Sequence, residues 1–154
     1  MSLRISDAHR QILRAIQADS TVTLEQLCEI TGMSQSTLWR RLKELEKNDV
    51  IRDRVTIVRP EQVGLSICAF VSINLTSHVT KHRRALEKLV ADTPQVMQCF
   101  SVTGAQDYVL LVRARDMQDY ETLLMDKILS HPSVASTSSN ITLREIKFTT
   151  ALPL

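Results

Sequence analysis

Aromatic side chains make up only 4% of this chain, so its core has to be built from Leu, Ile and Val. Cysteine is also sparse. Cys28, Cys68 and Cys99 are odd in number and far apart, with no Cys-x-x-Cys. They read as buried thiols in a reducing compartment, not as a disulfide framework. No apolar run is long enough to span a membrane. The N-terminus has no signal-peptide apolar segment, so a cytoplasmic location is expected. There is no P-loop, no Gly-x-Ser-x-Gly and no pair of carboxylates in an apolar setting. Asp107 and Tyr108 could form an acid–base pair, but nothing beside them supplies a nucleophile or an oxyanion site. His78 and His82 are four apart on one predicted helix, yet no third ligand completes a metal site. Neither an enzyme nor a metal or other cofactor is expected. Charge is scarce too: the net value is +2. Residues 1–59 carry ten Lys/Arg against eight Asp/Glu, and residues 60–154 carry nine of each. That bias is too small for strong nucleic-acid binding by a single chain. It suits a protein that multiplies its contacts by oligomerising.

What is present is organised around Thr23–Lys47. Thr23 caps a short helix, and Gln26 three residues on completes a capping box. Leu24, Leu27 and Cys28 share one face of it. Gly32 supplies the turn, and Ser34 caps a second, longer helix. On that helix Leu38, Leu42 and Leu45 lie along one line, while Ser36, Arg40 and Lys43 point the other way, with Gln35 and Trp39 on the flank. Such side chains hydrogen-bond base edges and phosphates, and a helix of this width fits the major groove. The layout is that of a helix-turn-helix with its recognition helix. An ordinary helical hairpin with a solvated basic face has the same pattern. Candidate DNA contacts are Ser34, Gln35, Ser36, Thr37, Trp39, Arg40, Arg41 and Lys43. Trp39 is either a contact to a base methyl or a lid on the core, and packing favours the lid.

A first helix, Ser6–Ala18, precedes this stretch and presents Ile12, Leu13 and Ile16. Met1-Ser2-Leu3 is given no weight. After Asn48-Asp49, the pieces Val50–Arg52 and Val55–Val58 read as a two-stranded wing, from which Arg52, Arg54 and Arg59 could reach phosphates. Arg59–Gly64 is the clearest boundary in the chain. Beyond it Ser66–Thr76 alternates as a strand, with Ile67, Ala69, Val71, Ile73 and Leu75 on one face. A helix over His78–Asp92 follows, then strands Val96–Thr103 and Tyr108–Arg115 around the loop Gly104–Asp107. Asp116–Leu129 is helical with a stripe of Met117, Tyr120, Leu124 and Ile128. Val134–Phe148 is a last strand with a bulge between Leu143 and Ile146. The order β-α-β-β-α-β is ferredoxin-like. The expected fold class is α+β. A winged helix-turn-helix domain spans 1–59, a linker 60–65, and a ferredoxin-like effector-binding and oligomerisation domain 66–154. The sheet face carrying Cys68, Phe70, Cys99 or their neighbours is too apolar for open water. It is expected to pair with a second copy.

The two halves together resemble the Lrp/AsnC family of bacterial and archaeal transcription regulators over nearly the whole length. The match rests on Ile12-Leu13, Gly32-Met33-Ser34, Arg41–Glu46, Val50-Ile51, Val102–Tyr108 and Arg144–Lys147. The resemblance implies a small effector, usually an amino acid, bound between subunits, and dimers that assemble into octamers or similar rings on double-stranded DNA. It places effector contacts at Thr103, Gly104, Ala105, Gln106 and Asp107, faced by Ala135, Thr137 and Ser139. The chemistry is reasonable: backbone N–H groups at a glycine turn hold a carboxylate, and Asp107 could take an ammonium group. A plain hairpin turn has the same sequence signature. Three residues depart from the family pattern. Ala105 stands where an acidic residue is common, which leans towards a small or apolar effector side chain. His9 replaces a frequent aspartate, and Asp49 a frequent glycine.

Two functions remain open on the sequence. One is a DNA-binding regulator responding to an amino acid. The other is a ferredoxin-like small-molecule-binding or enzymatic domain whose helical appendage does not contact DNA.

Overall fold

The computed structural model describes residues 3–154; Met1 and Ser2, at the start of the first expected domain, lie outside the described residues. The chain divides into two compact units. One takes in the chain up to Thr56 together with Lys147–Leu154, and the other is Ile57–Ile146.

Three helices make the first unit: α1 (Asp7–Ala18), α2 (Leu24–Thr31) and α3 (Gln35–Lys47). Each starts at a hydroxyl residue, because the first backbone N–H groups of a helix lack internal partners. Ser6 accepts from the His9 N–H. Thr23 accepts from the Gln26 N–H, and Gln26 returns its Oε1 to the Thr23 N–H at 2.8 Å. Ser34 accepts from the Thr37 N–H. α2 stops at Gly32, whose φ of 67° an L side chain seldom adopts. α3 stops without glycine. Asp49 takes the left-handed conformation at φ 56°. Its N–H donates to Glu46 O, and the Val50 N–H to Leu45 O at 2.9 Å, the paired bonds of a Schellman cap. Aspartate tolerates this backbone better than most residues, so the replacement of glycine costs little.

Ile12, Leu13, Leu27, Leu38, Leu42 and Leu45 are buried together, and Leu3, Ile5, Ile16, Cys28, Met33 and Ile51 pack around them. Leu3, given no weight on sequence, is therefore part of this core. The expected wing is not formed: residues 52–59 contain no strand, and Val55, Ile57 and Val58 are exposed. Arms of three or four residues give too few ladder bonds to hold a hairpin, and the Asp53-Arg54 tip has no glycine for a tight turn. The tail Lys147–Leu154 instead returns to this unit. Gln17 brackets Leu152, accepting its N–H at 2.7 Å and donating to its carbonyl. Arg14 Nε donates to the Leu154 carbonyl at 2.6 Å.

The second unit is a four-stranded antiparallel sheet of β1 (Ile67–Leu75), β2 (Val96–Ser101), β3 (Tyr108–Ala114) and β4 (Val134–Ile141), in the order β2-β3-β1-β4. α4 (Thr80–Ala91) joins β1 to β2, and α5 (Met117–Thr122) begins the connection from β3 to β4. β3 lies between β1 and β2, the split β-α-β arrangement of a ferredoxin-like domain. The alternation in β1 holds: Ala69, Val71, Ile73 and Leu75 are buried with Leu110 and Val112 beneath Leu86, Tyr120, Leu123 and Ile128. Each such aliphatic burial is worth about 1.5–3 kcal/mol.

Four expectations are corrected in this unit. Beyond Thr122 the helix widens into a π-helical stretch, Leu123–Leu129. Leu123 and Ile128, five residues apart, are buried, while Leu124 is half-buried and Met117 exposed. A stripe drawn at α-helical spacing misses this because each π turn takes an extra residue. β4 ends at Ile141 instead of Phe148, where the Thr142 N–H and hydroxyl both close on the Cys68 carbonyl. The irregularity in its pairing falls opposite Asn74/Leu75, not between Leu143 and Ile146. Finally, Cys99 sits opposite buried Leu110 and packs into the core, where burial and then the charge of Glu87 push its thiol up. The open face carries Cys68, Phe70, Leu111, Val109 and Phe100 instead, with Phe70 46% and Phe100 56% exposed.

Two outcomes test these contacts. Gln17→Ala removes both bonds to Leu152 and should cost about 1 kcal/mol of unfolding free energy, read by urea denaturation; an unchanged midpoint would show that these two bonds do not hold the tail. Asp119 takes a side-chain and a backbone hydrogen bond from Arg115, which hold its carboxyl well down, at about 2. A depressed carboxyl contributes stability above its unfolded value and loses it as pH falls through its folded one. Asp119→Asn should therefore melt below the wild type at pH 7, with the gap closing between about pH 4 and pH 2.

Candidate functional site

Of the eight side chains expected to face DNA, the structure presents Gln35, Ser36, Trp39, Arg40 and Lys43 on the exposed side of α3. Ser34 is used as the cap, and its hydroxyl also donates to Thr37 Oγ1 at 2.9 Å, leaving Thr37 half-buried. Trp39 is not a lid. It is 57% exposed, and Lys43, four residues on, places its ammonium 5.9 Å from the ring centroid. Arg40 and Lys43 are already paired, with Glu44 at 2.6 Å and Glu46 at 2.7 Å. Exposed pairs of this kind hold by no more than about 1 kcal/mol, so a phosphate or guanine can displace the carboxylate. Arg54 approaches Glu46 at 3.9 Å, and Arg52 only its neighbour Asp53.

Arg41 departs most from expectation. It is turned inward, with Nη1 3.4 Å from both Ser6 Oγ and His9 Nε2, and its buried Nε has no partner. At about 100° per residue position 41 lies beside the Leu38/Leu42/Leu45 stripe, so the helix itself directs it to the interior. His9 is the residue that sequence reasoning missed. It is 3% exposed and joins α1 to α3. Its Nδ1 accepts from the Ser6 N–H at 3.3 Å, which leaves the proton on Nε2 to be donated to Glu44 Oε2 at 3.3 Å. The other oxygen of Glu44 takes Arg40. Desolvation lifts the Glu44 carboxyl, but the hydrogen bonds from His9 and Arg40 and the Arg40 charge outweigh it and hold it below its usual value. One detectable signal existed: His9, Ile12, Leu13 and Ile16 share one helical face.

The second candidate site centres on the turn between β2 and β3. Thr103, Gly104, Ala105 and Gln106 are exposed. Gly104 has φ 121°, a backbone that a side chain would strain. Asp107 anchors the turn. Its N–H donates to Ile73 O, and its carbonyl accepts from the Val102 N–H. Its carboxylate accepts from the Leu75 N–H at 2.8 Å and stands 3.3 Å from His78 Nδ1. Leu75 and Asn74 pair with Val134 and Ser136, so Ala135, the unpaired residue at the irregularity, reaches the same end of the sheet. Thr137 and Ser139 do not join them. They lie opposite Ile73 and Val71 on the helix-covered face, and the Tyr120 hydroxyl donates to Ser139. His82 turns to Thr76 Oγ1, at 3.4 Å, apart from His78.

Residues 68–152 match the sequence model of the Lrp/AsnC ligand binding domain. The chain belongs to the Lrp/AsnC family. Residues 5–52 match a winged helix-turn-helix DNA-binding model. The glutamate uptake regulatory protein of Zymomonas mobilis is 32% identical over 154 residues, 100% of this chain and 93% of its own. A Neisseria meningitidis transcriptional regulator, solved as an L-methionine complex, superposes with a TM-score of 0.92 at 32% identity and covers 97% of both chains. A feast or famine regulatory protein of M. tuberculosis, also complexed with L-methionine, gives 0.83 at 31% identity, over 94% of this chain and 96% of that one. This member of the family is thus a DNA-binding transcription regulator with a helix-turn-helix domain and a ligand domain.

The geometry separates two neighbouring arginines. Arg40→Ala should weaken duplex binding by about 1–3 kcal/mol where it reads a base, at an unchanged melting temperature. Arg41→Met, which keeps the stem and drops the charge, should leave affinity unchanged. Anisotropy titration with a fluorescent duplex measures both, and the reverse pattern would refute the placement.

Proposed function

We propose that α3 reads duplex DNA through Gln35, Ser36, Trp39, Arg40 and Lys43, and that an amino acid held at Thr103–Asp107 governs assembly and hence DNA binding. The observation that carries the first part is the polar face of α3, kept outward by the buried Leu38/Leu42/Leu45 stripe. Arg40 and Lys43 supply guanidinium and ammonium donors, and Trp39 an exposed ring that can lie against a thymine methyl. Ser34 and Thr37 hold the start of the helix, and Arg41 supports it from behind.

For the second part, the exposed N–H groups around Gly104 can take a carboxylate. Ala105 offers no charge to an effector side chain, which favours a small or apolar amino acid. The relatives solved with L-methionine carry a ligand of that type. Asp107 is already committed to the Leu75 N–H, so it has one free oxygen for an ammonium group, in competition with His78. A partner subunit completes the site. Phe70 and Phe100 on the open sheet face give that subunit an apolar surface to cover. Dimers then assemble into an octamer or similar ring in the cytoplasm. An effector shifts this equilibrium only if it prefers one assembly state.

A thermal-shift screen of the common amino acids tests the effector. A ligand at a hundred times its dissociation constant should add about 2.7 kcal/mol of stability. Asp107→Asn should abolish the shift while keeping an acceptor for Leu75, which alanine would not. If no amino acid raises the melting temperature, this part of the reading fails.

A further inference from the structure

We propose that the outer face of α4 is a second contact for the DNA phosphate backbone, separate from the recognition helix. The proposal rests on the reading that this chain binds duplex DNA. Nine Lys/Arg and nine Asp/Glu make Ile57–Ile146 neutral overall, but they are not mixed. Four of the nine cations, Lys81, Arg83, Arg84 and Lys88, sit on the twelve-residue α4 against the single acid Glu87. Glu87 is in turn engaged by the Tyr108 hydroxyl at 3.1 Å. Three of the acids, Asp119, Glu121 and Asp126, lie on α5 and its π-helical continuation, and a fourth, Asp116, caps α5.

Lys81, Arg84 and Lys88 project from one side of α4, within about 60° of each other by helical geometry. All three are exposed, and among the described residues no carboxylate comes within ion-pair distance of any of them. Helix stability does not account for the stripe. A helix N-terminus favours acids, as Asp7 on α1 and Asp119 on α5 illustrate. α4 has no acid in its first turn and no side-chain cap at Val79, and its cations begin at the second residue. Lys88 suits the C-terminal end of the helix dipole, but Lys81, Arg83 and Arg84 lie in the N-terminal half, where positive charge costs the helix something. From Lys81 to Lys88 the axis advances about 10 Å at 1.5 Å per residue. Over that length one DNA strand presents about three phosphates, at 3.4 Å each. Three cations against three phosphates, with the acids gathered on another helix, fit a polyanionic rod.

The test replaces Lys81, Arg84 and Lys88 together by glutamine in the full chain. Affinity for a random-sequence duplex several helical turns long is then measured against salt. Random sequence is the right probe because backbone contacts carry no sequence information. The slope of log affinity on log salt should become shallower by roughly 0.9 per phosphate no longer neutralised, about 2.7 for each engaged helix. Glutamate at the same three positions should weaken binding further, with circular dichroism confirming the fold of each variant. A wild type that shows no salt-dependent binding to this duplex overturns the DNA reading itself. A wild type that binds and a glutamine variant with the same affinity and slope overturn only the α4 contact. A glutamine variant whose sedimentation changes without DNA would place the stripe against another copy of the chain, which also overturns it.

Discussion

The phase of β1 fixes what every other residue of the ligand unit can do. Ala69, Val71 and Ile73 are fully buried, so the strand cannot slip by one residue without turning this set to water. Register then fixes the rest. Residues opposite Val71 and Ile73 on β4 face the helices, and residues opposite Phe70 face outward. Ser139 is thereby assigned to Tyr120, and Asn140 to the open face. The loop Gly104–Asp107 owes its position to the same strand. Asp107 is bonded to Ile73 and Leu75, the last buried residues of β1. A ligand seated at that loop is therefore seated on the end of the strand that organises the core.

In the helical unit the comparable device is polar. His9 is buried between α1 and α3 and is fully used, as acceptor for the Ser6 N–H and donor to Glu44. A buried polar group costs several kcal/mol when unpaired and little when satisfied. The site is thus tolerant of His9 only because Glu44 is there. Glu44 is shared with Arg40, so the packing of the unit and the poise of an outward-facing guanidinium meet in one carboxylate.

The sequence makes the element order, three of the helix caps and the inward face of β1 legible, because each is set by neighbours within a few residues. The β-α-β-β-α-β order and the buried Leu38, Leu42 and Leu45 follow from periodicity alone. What it hides depends on longer range or on a change of period. The π-helical turn puts Leu123 in the core in place of Leu124. The pairing of His9 with Glu44 spans thirty-five positions and has no local signature. Arg41 has the chemistry of a DNA contact, although its helical angle sets it beside the leucines. Trp39 has the size of a packing residue, yet the leucines fill the core without it. The wing rests on β-prone residues that have no partner of sufficient length. At the loop, Thr103–Asp107 and Ala135 are brought to one end of the sheet, and Thr137 and Ser139 are not, because the irregularity at Ala135 breaks the two-residue alternation and pairing with Ile73 and Val71 sets Thr137 and Ser139 on the helix-covered face.

Charge bears on the proposal that several copies of the chain act together. Two of the four cations on α3, Arg40 and Lys43, are offset by Glu44 and Glu46 on the same helix, so these two present little free positive charge. Each pair must open before a phosphate can take the acid's place, and each opening returns part of the Coulomb gain. A single recognition helix built this way binds weakly and discriminates mainly by which partner displaces the carboxylate. Under the proposed reading, further affinity comes from the unpaired cations of α4 and from the number of chains held together. The open sheet face with Phe70 and Phe100 exposed is the surface proposed to hold the chains together. An effector that alters how chains associate changes the count of recognition helices on one DNA, and needs no strain transmitted to α3 at all. Under the proposed reading, regulation by assembly suits a recognition helix whose outward Arg40 and Lys43 are paired with its own acids.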